Sequence, residues 1–176
     1  MEKLRGLLNP IEDVDAGAAV AVLLRRDDEG LQVLLVKRSE NPSDPWSGHM
    51  AFPGGRRRLE DRDLRETVVR ETLEETGIDL DRYLFLGTLD VAFSNVASEL
   101  GVISFVVLAE ELPEIVLNEE LCSYLWVHLE HLSLSKGMAR VERREVPAYT
   151  VEGHVVWGLT YRMIENLLRL MSAPEK

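Results

Sequence analysis

One helix-forming segment lies among strand-like runs, and this order limits the possible folds. Leu64–Thr76 contains no Gly or Pro, is rich in helix formers, and is followed by Gly77, which favours helix termination. Apolar, β-branched runs occupy 16–26, 31–38, 84–93, 102–108 and 121–127. An amphipathic helix is predicted at 158–171, with Met163, Leu167, Leu168 and Met171 at core spacing. The pattern predicts an α/β fold with a mixed sheet packed between helices.

Shorter signals predict how these elements are connected. The runs 16–26 and 31–38 flank Asp27–Gly30, which is typical of a β-hairpin turn. Asn41–Gly48 has the Pro, Ser and Gly content of a loop, and Phe52–Gly55 predicts a tight turn. The mixed segment 141–154 is expected to contain another short hairpin. No internal repeat or Gly/Ser linker divides the chain, so residues 1–176 are expected to form a single domain.

Composition excludes several classes of function. The chain has 176 residues, a net charge of −11 and 45% hydrophobic residues, which suits one globular domain. Its acidity argues against nucleic acid or an anionic membrane as a partner, since both require a basic surface. The N-terminal residues resemble no signal peptide, and no apolar stretch approaches the roughly 20 residues that span a bilayer. With a single cysteine, Cys122, these features favour a cytoplasmic protein.

Acidic residues are concentrated around the predicted internal helix. Glu60–Asp81 contains nine acidic and three basic residues. Glu71, Glu74 and Glu75 stand at i, i+3 and i+4, so their carboxylates share one helix face and repel one another when ionised. A hard divalent cation such as Mg²⁺ or Mn²⁺ would offset that repulsion and would also bind phosphate oxygens. The alternatives are a solvated helix face, or an ion pair between Glu74 and Arg70.

The sequence around these carboxylates resembles a known family. Arg70–Ile78 (RETLEETGI) resembles the core of the Nudix box, G-x5-E-x7-R-E-U-x-E-E-x-G-U with U aliphatic, and departs from it only at Thr72. In the front half, Asp61 replaces the first Glu, and eight residues separate it from Arg70. This length and the preceding Phe-Pro-Gly-Gly resemble the coenzyme A pyrophosphatase branch, as does the segment 156–160 (VWGLT). Trp46 stands where that branch often has His.

The resemblance implies a Nudix-type α/β/α sandwich and a metal-dependent pyrophosphohydrolase. Its substrate would be a nucleoside diphosphate linked to another group, with coenzyme A or its thioesters first. ADP-ribose, dinucleoside polyphosphates or an oxidised nucleotide are the alternatives. Water would attack one phosphorus of the diphosphate, assisted by Mg²⁺ or Mn²⁺. Homodimers are common in the superfamily, so a homodimer is possible here, although no sequence stripe identifies an interface.

The resemblance also assigns roles to residues. Glu71 and Glu75 would be the principal metal ligands, and Glu74 would contribute to the metal cluster. Glu120 is the preferred carboxylate from outside the box, as ligand or general base, with a solvated turn as the alternative. The catalytic candidates are therefore Glu74, Glu75 and Glu120. The substrate-binding candidates are the phosphate-contacting Arg38 and Arg56 and the close-approaching loop residues Gly54 and Gly55.

Two other classes of function remain open at this stage. A non-catalytic Nudix-like binding module would be expected to have lost box carboxylates, and none is lost. A structural protein with a merely solvated acidic helix would tolerate Glu75→Gln. None of the four histidines shows a metal-ligand pattern in the sequence: His49, His128, His131 and His154. No G-x-x-x-x-G-K-[ST] loop or dinucleotide fingerprint is present, so nucleotide-driven motor and hydride chemistry are unsupported.

Overall fold

The computed structural model describes residues 2–43, 46–94 and 100–172. The helices are α1 (Glu2–Arg5), α2 (Leu64–Thr76), α3 (Leu129–Leu134) and α4 (Gly158–Ser172), with a 3-10 turn at Leu80–Arg82. The strands are β1 (Ala18–Asp27), β2 (Gly30–Arg38), β3 (Met50–Ala51), β4 (Gly54–Arg56), β5 (Leu84–Thr88), β6 (Ala92–Phe93), β7 (Gly101–Ala109), β8 (Leu121–His128), β9 (Lys136–Val141), β10 (Arg144–Val151) and β11 (His154–Trp157).

The main sheet is mixed and is built around β1. This strand runs parallel to β7, from Ala18 opposite Val102 to Arg25 opposite Ala109. It runs antiparallel to β2, which forms the predicted hairpin with it, and to the short β4. Strands β3 and β8 pair with β2, and β5 and β6 pair with β7, all antiparallel. The prediction of a mixed sheet is confirmed.

The two faces of this sheet bury separate cores. Along β1, Val22 and Leu24 pack on the face covered by α4, whereas Ala21 and Leu23 pack on the face covered by α2. This alternation follows from the two-residue period of a strand. The sheet therefore lies between helices, as the α/β/α prediction requires. Helix α4 buries Met163, Ile164 and Leu167, while Leu168 and Met171 are only partly buried against the same core.

Helix α2 begins and ends where local chemistry dictates. The side chain of Asp63 accepts a hydrogen bond from the backbone N–H of Glu66 and caps the first turn. Gly77 adopts the left-handed conformation (φ 72°), and its N–H donates to the carbonyl of Leu73. The predicted limits, Leu64–Thr76, are confirmed. Thr72 is buried although Leu73 is 48% exposed, so the polar threonine faces the core.

A second, three-stranded antiparallel sheet packs beside α4. Its order is β11-β10-β9, and it spans Lys136–Trp157. The sequence predicted only one short hairpin within 141–154, whereas the structure has two hairpins that share β10. The β9–β10 hairpin is less evident from the sequence, because most of β9 is exposed and lacks an alternation of apolar residues. None of the helices in the described ranges is both long and apolar enough to cross a membrane.

Candidate active site

Glu75 occupies a buried position at the end of α2. This residue is only 3% exposed to solvent. The backbone N–H of Gly54, at the start of β4, donates to Oε2 of Glu75 at 2.9 Å. Nη1 of Arg38 lies 3.8 Å from the other carboxylate oxygen of Glu75, Oε1. The Phe52–Gly55 turn and the end of β2 therefore converge on this carboxylate.

The surroundings of Glu75 disfavour its negative charge. Burial raises the pKa of this carboxyl to about 7, and the nearby charges of Glu71 and Glu120 add to the rise. The Gly54 hydrogen bond and the charge of Arg38 oppose it without cancelling it. Without a cation, this carboxyl is therefore harder to ionise than an ordinary glutamate.

Glu71 packs against the backbone of β4. A Cβ atom added at Gly55 would lie 2.5 Å from Oε2 of Glu71, so only glycine leaves the room that this carboxylate uses. Nη1 of Arg70 donates to Oε1 of Glu71 at 2.5 Å. The predicted close-approaching glycines thus serve two carboxylates, Gly54 by hydrogen bonding to Glu75 and Gly55 by making room for Glu71.

Asp61 fixes Arg70, the first residue of the acidic core motif. Its Oδ1 accepts from Nε of Arg70 at 2.9 Å, and its Oδ2 accepts from Nη2 at 2.7 Å. Oδ2 also accepts from the backbone N–H of Arg58 and the hydroxyl of Thr67. These donors, Arg70 foremost, hold the pKa of Asp61 well below its usual range, despite burial. The shorter Asp at this box position therefore still reaches the arginine.

Glu74 is placed differently from its two neighbours. Nη1 and Nη2 of Arg58 donate to its two carboxylate oxygens, both at 2.9 Å. Nη1 of Arg70 lies 3.5 Å from Oε2 of Glu74, as the i, i+4 spacing suggested. Within the described ranges, Glu74 is not among the residues that line the cavity next to Glu71 and Glu75. Its charge is met by arginines on the outer side of α2.

A cavity of about 380 Å³ brings most of the predicted site residues together. Glu71, Glu75 and Glu120 all line it, and so do Arg38, Gly54, Gly55 and Arg56. Glu120 reaches the cavity because it directly precedes β8, where its carbonyl accepts from the N–H of Ser39 beside the end of β2. Of the residues predicted for the site, only Glu74 lies outside this lining in the described part of the chain.

Comparison with known proteins identifies this arrangement. The family model of the NUDIX domain matches residues 15–149, which include the carboxylates of α2, Glu120 and Arg38. The chain belongs to the Nudix family. The acidic motif of α2 is therefore the family's box.

The relatives of this Nudix domain differ in length and in the function that their names give. An uncharacterized protein of Schizosaccharomyces pombe is 43% identical over 117 residues, covering 62% of this chain and 36% of that protein. The mouse mitochondrial coenzyme A diphosphatase NUDT8 is 26% identical over 165 residues, covering 89% of this chain and 79% of that protein. The chain thus spans about a third of the length of the first relative.

A solved structure shows the same fold. The NUDIX domain of Shewanella oneidensis NrtR, crystallised with ADP ribose, aligns with a TM-score of 0.59 over 92% of this chain and 91% of that one. The two sequences are 18% identical, so the likeness shows the fold alone. It confirms the predicted Nudix-type architecture.

The chemistry of the Nudix site fits a hard divalent cation. Glu71, Glu75 and Glu120 offer only carboxylate oxygens, which Mg²⁺ and Mn²⁺ prefer. Like charges around buried Glu75 disfavour its ionised form, and a cation between the carboxylates would reverse that effect. In the described ranges, no three Asp, Glu, His or Cys side chains converge closely enough to enclose an ion as they stand. The residues therefore fit the metal by donor type and shared cavity.

Sequence reasoning missed several residues of the Nudix site. The cavity lining also includes His49 and Trp157, whose ring centroids are 4.8 Å apart. Arg162 of α4 also lines the cavity. His49 showed no ligand pattern in the sequence, and Trp157 entered only as part of a branch marker. The structural role of Asp61 was signalled by its place in the box, where it stands for a glutamate.

Proposed function

We propose that this protein is a divalent-metal-dependent pyrophosphohydrolase that cleaves a diphosphate within a nucleotide-type small molecule. One observation carries the proposal: three carboxylates and three arginines, drawn from several elements, line a single cavity of a Nudix domain. Carboxylates suit a divalent cation, and arginines suit phosphate oxygens. A merely solvated acidic helix would not bury Glu75 to 3% exposure.

Within this proposal, Glu71 and Glu75 hold Mg²⁺ or Mn²⁺. Such a cation, when bound, neutralises phosphate oxygens and lowers the pKa of water. Glu74 would join the metal-holding set only by giving up its ion pair with Arg58. Gly54 keeps the carboxylate of Glu75 oriented through its backbone N–H. Gly55 leaves the space in which Glu71 lies.

The remaining lining residues bind and activate the reactants. Arg38 and Arg56 are placed to contact the phosphate oxygens, Arg38 also lying beside Glu75. Glu120 is the candidate general base that accepts a proton from the attacking water, since it enters the cavity from β8 rather than from the box. The apolar wall of the cavity limits bulk water around the reacting groups.

For the substrate, we propose coenzyme A or its thioesters. The name of the mouse relative and the Phe52–Gly55 and 156–160 segments support this choice. ADP-ribose, the ligand of the Shewanella domain that shares this fold, is an alternative. Dinucleoside polyphosphates and oxidised nucleotides remain alternatives. Trp46 lines the cavity and stands where the coenzyme A branch often has His, which counts against coenzyme A as the substrate.

The proposal extends to partners and location. Net charge −11 disfavours nucleic acid and anionic membranes as partners. A homodimer, expected from the family, is proposed without an assigned surface. A reducing compartment such as the cytoplasm is proposed from the single Cys122; the mouse relative is mitochondrial by name.

A substrate panel tests the proposal. Purified protein is incubated with Mg²⁺ or Mn²⁺ and with coenzyme A, ADP-ribose, a dinucleoside tetraphosphate or a set of NTPs, and the products are resolved by chromatography. We expect coenzyme A to yield 3′,5′-ADP and phosphopantetheine, and chelation to abolish the reaction. Preference for another member would replace the substrate and keep the mechanism. No turnover of any member with either metal would favour the binding-module alternative.

A further inference from the structure

The cavity also has an aromatic and apolar lining. It carries the aromatic side chains of Trp46, His49 and Trp157, next to apolar residues that include Val102 and Met163. Glu71 and Glu75 come from α2, on the other side of the main sheet from α4. The cavity therefore combines carboxylates of α2 with aromatic side chains from residues 46–49 and from the end of β11.

We propose that Trp157 and His49 form a subsite for the nucleobase of the substrate, with Trp157 as its stacking platform. The inference rests on the proposed function, because it assigns the second half of the same cavity. A planar base gains most from an aromatic wall, whereas a flexible alkyl chain is served equally well by aliphatic side chains. Arg38 and Arg56 line the same cavity and would take the phosphates attached to that base.

The platform is held in place by several elements. Trp157 ends β11 and pairs with Ala148 of β10, a residue that is 1% exposed. The ring of His49 lies at 65° to the Trp157 ring, in an edge-to-face contact. The hydroxyl of Thr160, in the first turn of α4, donates to the carbonyl of Met50 at 3.2 Å. These contacts tie β11 and α4 to β3, so the indole is positioned before a ligand arrives.

Tryptophan fluorescence gives a test that needs no turnover. The chain has three tryptophans, and the third, Trp126, lies under the guanidinium of Arg25 and outside the cavity lining of the described residues. Because Trp46 lines the same cavity, all proteins carry Trp46→Phe, and AMP is titrated into this otherwise wild-type protein, Trp157→Phe and the matched control Trp126→Phe. 4′-Phosphopantetheine and inorganic pyrophosphate serve as base-free probes. We expect AMP to quench the otherwise wild-type protein and Trp126→Phe, with most of the quenching lost in Trp157→Phe.

Three outcomes of the titration would overturn the proposal. These are AMP quenching that persists in Trp157→Phe, no quenching of the otherwise wild-type protein by millimolar AMP, and stronger quenching by 4′-phosphopantetheine than by AMP. The last outcome would assign the aromatic wall to the acyl-carrier arm instead of the base. Each variant is checked by thermal unfolding, so a collapsed fold is not read as a lost site.

Kinetics separate this inference from the proposed function. Trp157→Leu keeps an apolar side chain but removes the ring, so KM for a nucleotide substrate such as ADP-ribose should rise about 10- to 100-fold with a smaller change in kcat. The base-free diphosphate 5-phosphoribosyl 1-diphosphate should be unaffected. Equal losses for both substrates would contradict a base subsite. A protein that binds AMP through Trp157 but hydrolyses nothing would keep the subsite and refute the enzyme.

Discussion

Asp61 is a buried carboxylate whose charge is met from several sides. Arg70, the backbone of Arg58 and the hydroxyl of Thr67 all donate to it. Such donors lower the pKa of a carboxyl because they favour its ionised form. Arg70 in turn contacts Glu71, so Asp61 acts on the candidate metal site through an arginine that it positions.

Removing this charge should weaken the fold. Asp61→Asn removes the main partner of the partly buried Arg70 and the charge of the buried Asp61, so the free energy of unfolding should fall by about 3 kcal/mol. Asp61→Asn is compared with Asp81→Asn, which alters an exposed ion pair with Arg65 and should cost less than about 0.5 kcal/mol. Urea unfolding at pH 7 measures both. If both substitutions lowered the free energy of unfolding by the same small amount, the ion pair between Asp61 and Arg70 would not be stabilising the fold.

The same variant predicts a change in acid stability. The folded pKa of Asp61 lies below the unfolded value of about 3.9, so its contribution is present above that pH and is lost as the pH falls towards the folded pKa. Urea unfolding between pH 2 and 6 should therefore show a smaller loss of stability in Asp61→Asn than in the wild type. Parallel curves for the two proteins would contradict the lowered pKa.

Thr72 presents the opposite case, a buried hydroxyl without a partner. Its residue is fully buried, and its Oγ1 makes no hydrogen bond within the described structure. Thr72→Val removes the hydroxyl at nearly constant shape and should stabilise the protein by about 1 kcal/mol, or roughly 2–4 °C in Tm. Thr76→Val is the control, since that hydroxyl donates to the carbonyl of Thr72 and its loss should destabilise. A lower Tm for Thr72→Val would contradict this assignment.

At the scale of elements, β4 joins the sheet to the carboxylate helix. Its first residue, Gly54, has φ of 142°, and a Cβ there would overlap the backbone of Ala19 in β1. The N–H of this glycine also holds Glu75. The short strand therefore depends on glycine for its pairing and sets the position of the candidate site at the same time.

Gly54→Ala should consequently damage both fold and site. The overlap with β1 backbone should lower Tm by at least several degrees, and any folded fraction should hydrolyse substrate more slowly than the wild type. Gly137→Ala, in β9, is the matched control because an added Cβ meets nothing within 4 Å there. Differential scanning calorimetry and the hydrolysis assay give the two readouts. A Gly54→Ala protein with normal Tm would show that β4 relaxes easily.

Local sequence signals predicted the elements to different degrees. The limits of α2 were predictable because Gly77 caps the helix and no breaker interrupts it. The spacing of Asp63 and Glu66 is typical of a helix start, and the structure has that cap. The hairpin expected within 141–154 includes the β10–β11 turn, where Glu152 and Gly153 both have positive φ. Strand β9 gave no comparable signal, since its residues are largely exposed.

The candidate site was predictable where it lies within one motif. Glu71 and Glu75 follow from their helical spacing and from the box. The neighbours that complete the cavity are remote in sequence: His49 meets Trp157 only because β3 and β11 approach each other in the fold. The pairing of Glu74 with Arg58 was likewise open, because the sequence offered Arg70 as a partner and three arginines in succession at 56–58.

At the scale of the whole molecule, the cavity is a place where two layers meet. The main sheet separates α2 from α4, and the cavity takes two carboxylates from α2 and its aromatic side chains from residues 46–49 and the end of β11. This arrangement buries Glu75 at a cost to stability, because its ionisation is disfavoured without a cation. Burial of Glu75 therefore lowers the stability of the metal-free protein at a pH where Glu75 ionises, and it creates a site that favours cation binding.

The effect of buried Glu75 on the free energy of unfolding is measurable in the metal-free protein. The pKa of Glu75 is raised to about 7 in the folded state, so relative stability is lost as the pH rises from its ordinary value of 4.5 through about 7. Metal-free Glu75→Gln should equal the wild type at pH 4 and exceed it at pH 8, by about 3 kcal/mol at most. Mg²⁺ should raise Tm in the wild type alone. Lower stability of Glu75→Gln at pH 8 would contradict the raised pKa.

The central claim is that the carboxylates of α2 perform metal-dependent hydrolysis of a phosphoric anhydride. The most direct measurement is kcat with Mg²⁺ for the wild type and Glu75→Gln on the best substrate of the panel, with both proteins shown to be folded by thermal unfolding. We predict a loss of at least about 10²–10⁴-fold in Glu75→Gln. A folded Glu75→Gln protein with a near-normal rate would remove Glu75 from catalysis and contradict the proposed function of the site.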